Sequence, residues 1–252
     1  FNYMLLGSLK LTFSKDISFA CMPDITKNKR VLIGSTSQYH GKEPSIFKIK
    51  TNEYNFIGIG ETLSDLKCGL NNNGIFISNH KIYSRETGKG LTSGIIMRLI
   101  LERAGGLNDA MRMIDQFPHA GCSSYFISHR EKTVIFEVSP NVSDIIYPQK
   151  GFLIAANHYI AEKMVNLDQR SKIFPENNSI QRDSHAAYII MQNRRKIENK
   201  TIKNILSNET GDITSSEGDF TTKYSIIYEQ GNSYLHISDG SPIKNKFKKV
   251  KI

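Results

Sequence analysis

A layered α+β domain is the fold class this sequence predicts. Strand-like and helix-like stretches arrive in blocks, in the order strands, helices, strands, helices, strands, whereas a doubly wound parallel sheet alternates them one by one. The hydrophobic period changes from two to helical spacing near residue 91 and again near residue 186. No proline-rich or glycine/serine-rich linker interrupts the 252 residues, so a single domain over 1–252 is expected.

Residues 13–22 and 30–35 read as strands around a turn at 25–29, and 45–50 and 54–59 as the next pair. A strand at 74–78 is fed by the turn Gly69-Leu70-Asn71-Asn72-Asn73-Gly74. Ile95, Ile96, Leu99 and Ile100 set a helix over 91–104, capped by Thr92 or Ser93 and ended by Gly105-Gly106. Asn108 is expected to cap a second helix through Met111, Ile114 and Phe117. The stretch 122–159 carries the most information. Strands at 124–128 and 133–138 flank the charged turn His129-Arg130-Glu131-Lys132, and the apolar run 151–156 ends directly in Asn157-His158. A strand that ends in asparagine sets an amide on a rigid edge, where it can donate to an oxyanion. Helices at 186–196 and 201–207 follow, and strands at 222–228 and 233–238 close the series around Glu229-Gln230-Gly231-Asn232.

Composition narrows the function classes. No apolar run approaches the length of a membrane span. Residues 1–7 hold a brief apolar patch with no basic region before it, a poor signal peptide. Three cysteines, Cys21, Cys68 and Cys122, give neither a disulfide framework nor a paired metal spacing, and so low and odd a count suits a reducing compartment, the cytoplasm. The seven histidines are scattered, so neither metal nor cofactor is expected. Much of the net charge of +9 lies in Lys244, Lys246, Lys248, Lys249 and Lys251. These alternate with Phe247, Val250 and Ile252, the pattern of an edge strand whose lysines guard against aggregation. A nucleic-acid or membrane-surface tail is the competing reading, but no nucleic-acid-binding motif accompanies the charge.

Several motifs, in order, resemble one family. Gly69-Leu70-Asn71-Asn72-Asn73-Gly74-Ile75 is similar to its G-M-N-x-x-G-L turn, Ala156-Asn157-His158 to its T-N-H, and Ser179-Ile180-Gln181-Arg182 to its S-S-x-R before a helix. Tyr224-Ser225-Ile226-Ile227-Tyr228 resembles its closing T-x-x-S-V hairpin. The family is the N-terminal-nucleophile (Ntn) hydrolases of the isopenicillin-N acyltransferase and choloylglycine hydrolase type, with secernin-like dipeptidases as further relatives. The resemblance spans roughly residues 16–242. It implies a four-layer αββα sandwich of two antiparallel sheets. It also implies a hydrolase or acyltransferase that opens a small linear amide through an acyl-enzyme, its cysteine freed at a new N-terminus and its own α-amine acting as base. By that resemblance Asn157 donates to the oxyanion, Arg182 supports the nucleophile's charge, and Asn71 shapes or lines the substrate site.

The opening hairpin departs from the family. Where its return strand ends in G-R-N-x-D or G-K-N-S-D, this chain has Gly34-Ser35-Thr36-Ser37-Gln38. Cys21 is the only cysteine on the first strand and so the candidate thiol; Ser18 is a second candidate in or beside the site. Hairpin partners sum to a constant, so a turn centred between Lys27 and Asn28 sets Gly34 against Cys21 and Gln38 against Ile17, with the site near Ile17 or Ser18. Aligning Phe19-Ala20-Cys21-Met22-Pro23 with the secernin-like F-V-A-L-P places the nucleophile position at Asp16 instead. Three functions stay open: an amide hydrolase or acyltransferase, as a monomer or a homo-oligomer; a catalytically inactive member that keeps the fold and binds a small ligand; and a binder using the basic tail. The loops at 81–89 and 161–178 are expected to shape specificity.

Overall fold

The computed structural model describes residues 13–252. The strands are β1 (Ser14–Cys21), β2 (Leu32–Tyr39), β3 (Ser45–Ile49), β4 (Phe56–Gly60), β5 (Leu66–Asn71), β6 (Phe76–Lys81), β7 (Ser123–His129), β8 (Lys132–Val138), β9 (Ser143–Ile146), β10 (Phe152–Ala156), β11 (Thr221–Glu229), β12 (Tyr234–Asp239) and β13 (Lys248–Lys251). The helices are α1 (Ser93–Arg103), α2 (Leu107–Gln116), α3 (Arg170–Ile173), α4 (Ser179–Gln192) and α5 (Asn199–Leu206). Two antiparallel sheets result, ordered β10-β1-β2-β11-β12-β13 and β3-β4-β5-β6-β7-β8-β9.

Alternation along the strands builds the layers. Ala20, Ile33, Ala155 and Ile226 of the first sheet meet Ile57, Leu70, Phe76 and Phe126 of the second in the central core. The outer face of the second sheet packs Ile75, Ile77 and Tyr125 against Ile96, Ile100 and Ile114 of α1 and α2. The outer face of the first packs Ile17, Phe19, Cys21 and Leu32 against Ala186, Ile190 and Ile202 of α4 and α5. This is the expected αββα sandwich.

Strand β1 is buried on both faces, and Asp16 and Ser18 share one of them. Ile17, Phe19 and Cys21 face the helices; Asp16, Ser18 and Ala20 face the other sheet. A slip of one residue would drive Asp16 and Ser18 into the aliphatic helix layer, so the register is strongly fixed. The hairpin register differs by two residues from the spacing argument. Phe19 lies opposite Gly34, Cys21 opposite Leu32 and Lys15 opposite Gln38. The cause is the connection between the strands. Ile25 N donates to Met22 O (3.1 Å), Thr26 Oγ1 to Arg30 O (2.8 Å) and Lys27 N to Ile197 O (2.9 Å), which moves the hairpin midpoint back to Thr26–Lys27.

Other expectations shift. Strands β5 and β9 were not anticipated: β5 hides inside what reads as a turn, and β9 lies within a polar loop. Helix α4 begins at Ser179, well before residue 186, because Ser179 and Arg182 in its first turn face inward. Helix α2 starts at Leu107 behind Gly106, so Asn108 lies inside it rather than capping it. The lysine-rich tail forms β13, paired with β12 at the edge of its sheet. Among the described residues no helix is long and apolar enough to cross a membrane.

Candidate active site

The upstream end of β1 carries a buried polar cluster. β10 pairs with β1 only as far as Ile17–Ala156. At the next position the Asn157 side chain takes over from the backbone. Its Oδ1 accepts from Asp16 N (2.6 Å), and its Nδ2 donates to Asp16 Oδ2 (3.0 Å) and Lys81 O (3.0 Å). Ser14 Oγ donates to Asp16 Oδ2 (2.6 Å), and Ser37 Oγ makes a short bond to Asp16 Oδ1. The buried carboxylate is thus met by donors on both oxygens, the condition for holding a charge away from water.

Arg182, fully buried, stands behind this pair. Its Nη2 donates to Asn157 Oδ1 (2.9 Å) and Asn177 Oδ1 (2.7 Å), and its Nη1 to Asp212 Oδ2 (3.2 Å). Burial lowers the guanidinium's pKa, while Asp212 and Asp16 oppose that shift and keep the cation in place. Lys15 Nζ joins Asp212 at 3.1 Å, so two cations and two carboxylates balance within one cluster. Gln38 holds the strand position where the family's motif has a carboxylate. Its Nε2 donates to Asp212 O (2.8 Å) and so fixes the loop that supplies the carboxylate instead.

One pleat deeper, Ser18 Oγ lies 2.8 Å from Ser35 Oγ, 2.7 Å from Ser78 Oγ and 3.0 Å from His80 Nε2. His80 Nδ1 is 3.2 Å from Ser124 O. A carbonyl only accepts, so the neutral ring carries its proton on Nδ1 and turns its lone pair to Ser18. Desolvation is the main cause that lowers the His80 pKa, to about 4, which keeps the ring neutral.

The structure brings Asn157, Arg182 and Ser18 together around the upstream half of β1. Cys21 is not with them. It faces the helix layer among Ile17, Phe19 and Ile25, and burial pushes its thiol pKa far up, the reverse of what thiolate chemistry needs. Asn71 is not with them either. Its Oδ1 accepts from Asn73 N (3.1 Å) and Ile75 N (2.9 Å), and its Nδ2 donates to Ala104 O (3.1 Å), which makes it a turn-former beneath α1. That turn borders the β1–β2 connection at Lys29–Val31, at the opposite end of β1 from Asp16. His158 is held by Ser179 Oγ (2.7 Å) and Asp183 Oδ2 (3.4 Å) and tethers the start of α4.

Asp16, His80, Tyr83, Asn177 and Asp212 complete the cluster. Asp16 is the position that the secernin-like alignment marked, and the alternation Ser14, Asp16, Ser18 places it on the face of Ser18. Tyr83 and Asn177 fall in the two loops expected to shape specificity. Among the described residues no group of three or more His, Cys, Asp or Glu side chains could hold a metal ion.

A sandwich of this layering, with a strand-start residue clasped by a strand-end asparagine and a buried arginine, defines an Ntn hydrolase-like protein. The chain belongs to the acyl-coenzyme A:6-aminopenicillanic acid acyl-transferase family, whose model matches residues 26–243. No curated protein matches the sequence. Among solved structures, the chain is similar to a conjugated bile acid hydrolase from Clostridium perfringens, with TM-score 0.64 and 12% identity over 94% of this chain and 92% of that one. It is similar to penicillin V acylase from Agrobacterium tumefaciens, with TM-score 0.65 and 11% identity over 94% and 86%. It is also similar to a Caenorhabditis elegans N-acylethanolamine-hydrolyzing acid amidase ortholog, with TM-score 0.57 and 12% identity over 84% and 91%. At such identities the likeness is one of fold.

Proposed function

We propose that this chain binds a small linear amide at the Asp16 end of the sandwich and does not carry out thiol acyl transfer on it. One observation carries the reading: Asp16 stands where the strand-end Asn157 and the buried Arg182 converge, while Cys21 points into the helix layer. A carboxylate saturated by Ser14, Ser37 and Asn157 is a fixed acceptor and a weak nucleophile. Asn157 supports the same reading. Both its N–H bonds are engaged, by Asp16 and by Lys81 O, so it could donate to an oxyanion only by releasing one of them.

The test exposes the full chain to a conjugated bile acid, penicillin V and an N-acylethanolamine, the amides in the names of the similar structures. Calorimetry should record saturable binding of at least one, with no amine released and no acyl mass gained. Amine release that disappears in Cys21→Ala would overturn the reading.

A second reading rests on Ser18 and His80. Ser18 Oγ donates to Ser35 Oγ (2.8 Å) and lies 3.0 Å from His80 Nε2, with the far ring nitrogen on Ser124 O; turning that single proton from Ser35 to His80 would give an activated serine. Labelling by a fluorophosphonate that Ser18→Ala abolishes would establish it; an unlabelled native chain removes it.

A further inference from the structure

The backbone at the head of β1 is held by side chains from other elements. Upstream of Ile17 the edge of β1 that faced β10 has no strand beside it among the described residues. Side chains serve it instead. Asn157 accepts from Asp16 N at 2.6 Å. Tyr83 Oη accepts from Ser14 N at 2.7 Å and donates to Ser14 O at 2.8 Å. Asn177 Nδ2 donates to the same Ser14 O at 3.2 Å. Tyr83 and Asn177 are themselves buried, 1% and 4% exposed, so these groups are fixed rather than recruited from solvent. Arg182 Nη2, 2.7 Å from Asn177 Oδ1, leaves the Asn177 amide nitrogen aimed at Ser14. Side chains that grip both the N–H and the C=O of one residue are built to recognise an amide-linked segment.

The residue before that segment supplies an aromatic group. The Phe13 ring stacks on Tyr83, with centroids 5.8 Å apart and planes at 25°, and meets Phe174 at 4.8 Å. Phe174 continues to Phe220 at 5.0 Å, which extends the aromatic wall. Phe13 is only partly buried, so the ring lies in an open cradle rather than a sealed core.

We propose that Phe13–Ser14 is a self-ligand, and that the Tyr83, Phe174 and Asn177 side chains that hold it take aromatic acyl amides which bind by displacing Phe13. This rests on the reading that the Asp16 end receives an amide. An external ligand then binds only the displaced state, and its apparent affinity is reduced by the fraction of molecules in which Phe13 has left.

The chain contains no tryptophan, so Phe13→Trp places a single reporter in the cradle of the full-length protein. Its emission should be that of a shielded indole. Adding N-acetyl-phenylalaninamide should shift it saturably to the solvent-exposed position, and N-acetyl-leucinamide should require roughly tenfold more, the order of one stacking contact. Phe174→Ala in the Phe13→Trp protein should give the exposed emission without ligand. Phe13→Ala, followed by calorimetry, should bind the phenylalanine amide about tenfold tighter than the parent chain. Exposed emission from the start, or equal affinities for parent and Phe13→Ala, overturns the self-ligand. Parent-chain binding with an unresponsive Trp reporter sinks this inference and leaves the proposed function standing. No amide bound by parent or Phe13→Ala sinks both.

Discussion

Asn157 clasps Asp16 twice, accepting from its amide and donating to its carboxylate, so one side chain fixes both the backbone and the charge at the head of β1. The asparagine that ends one strand thereby continues the sheet for one more residue. The pair depends in turn on Arg182, because Asn157 Oδ1 accepts from Arg182 Nη2 as well as from Asp16 N.

Arg182→Met tests that dependence. The substitution keeps much of the side-chain volume and removes the donors to Asn157, Asn177 and Asp212. It leaves Asp212 with Lys15 alone and Asp16 without the buried guanidinium nearby, and breaking a buried pair in this way costs about 3–5 kcal/mol. Urea unfolding should show a loss of that order. Arg182→Lys should recover only part of it, since an ammonium cannot span three acceptors in the guanidinium's planar geometry. Equal stability of native and Arg182→Met proteins would show that the cluster contributes nothing net.

Gly34→Ala tests the hairpin register. A Cβ at Gly34 would lie 2.3 Å from Phe19 Cζ, so the aromatic ring covers the glycine directly. Phe19 packs in the helix-facing core, and the ring cannot retreat without displacing its neighbours there. Overpacking of this kind costs about 1–3 kcal/mol. In a double-mutant cycle, Phe19→Leu should make Gly34→Ala milder, giving a coupling on the order of 1 kcal/mol. Additive effects would mean that the two residues are not opposed.

Much of the fold was legible because its signals are local. Strand-like stretches located β1 and β8, apolar runs located β7 and β10, helical spacing located α1 and α2, and the lysine-rich tail announced an edge strand. Within the site, Asn157 was legible as a strand-end amide and Arg182 through its resemblance to the family's S-S-x-R, though the helix that carries it was expected only from residue 186. The alignment with the secernin-like F-V-A-L-P marked Asp16, whereas the hairpin spacing set the site at Ile17 or Ser18 through a two-residue error in register. That error came from the long connection over residues 22–31, whose bonds to Ile197 no local pattern encodes. Tyr83, Asn177 and Asp212 come from loops, where neither period nor capping says which side chain turns inward. Cys21 misled because cysteine suggests chemistry by its identity, whereas strand parity assigns it to the helix-facing core.

Glu137 should give the stability a downward slope with pH. Its carboxylate accepts from Ile160 N (2.8 Å) and Ala161 N (3.0 Å), which anchors the chain just beyond Asn157. Desolvation, the largest cause, pushes its pKa up to about 7 from an ordinary 4.5, with Asp144 and Asp168 adding to the rise. Between those values the folded protein binds more protons than the unfolded chain, so stability falls as pH rises through the window and levels off above it. The full effect is about 3 kcal/mol. Glu137→Gln removes the titration, and its unfolding free energy should lose this slope between pH 5 and 7. It also gives up one acceptor for the two amides, which lowers stability by about 1–3 kcal/mol at low pH. An unchanged slope would show that Glu137 is not the group responsible.

His80 should produce the opposite slope over nearly the same range, which is why the two substitutions must be made separately. Its ring sits between Ser18 and Ser124 O, with the charges of Asp16, Arg182 and His158 acting on it. Burial lowers its pKa to about 4 from 6.5, so the unfolded chain takes up a proton that the folded protein refuses. Stability contributed by the neutral ring is complete above the unfolded value and is lost as pH falls toward 4. His80→Gln keeps a side chain able to donate and accept, and it cannot titrate. Unfolding measured from pH 4 to pH 7 should show a flatter acid limb for His80→Gln than for the native chain, by about 3 kcal/mol across the range. A double variant with Glu137→Gln should lose both slopes. If His80→Gln keeps the native acid limb, the proton is being taken up elsewhere, and the neutral Ser18–His80 pair loses its support.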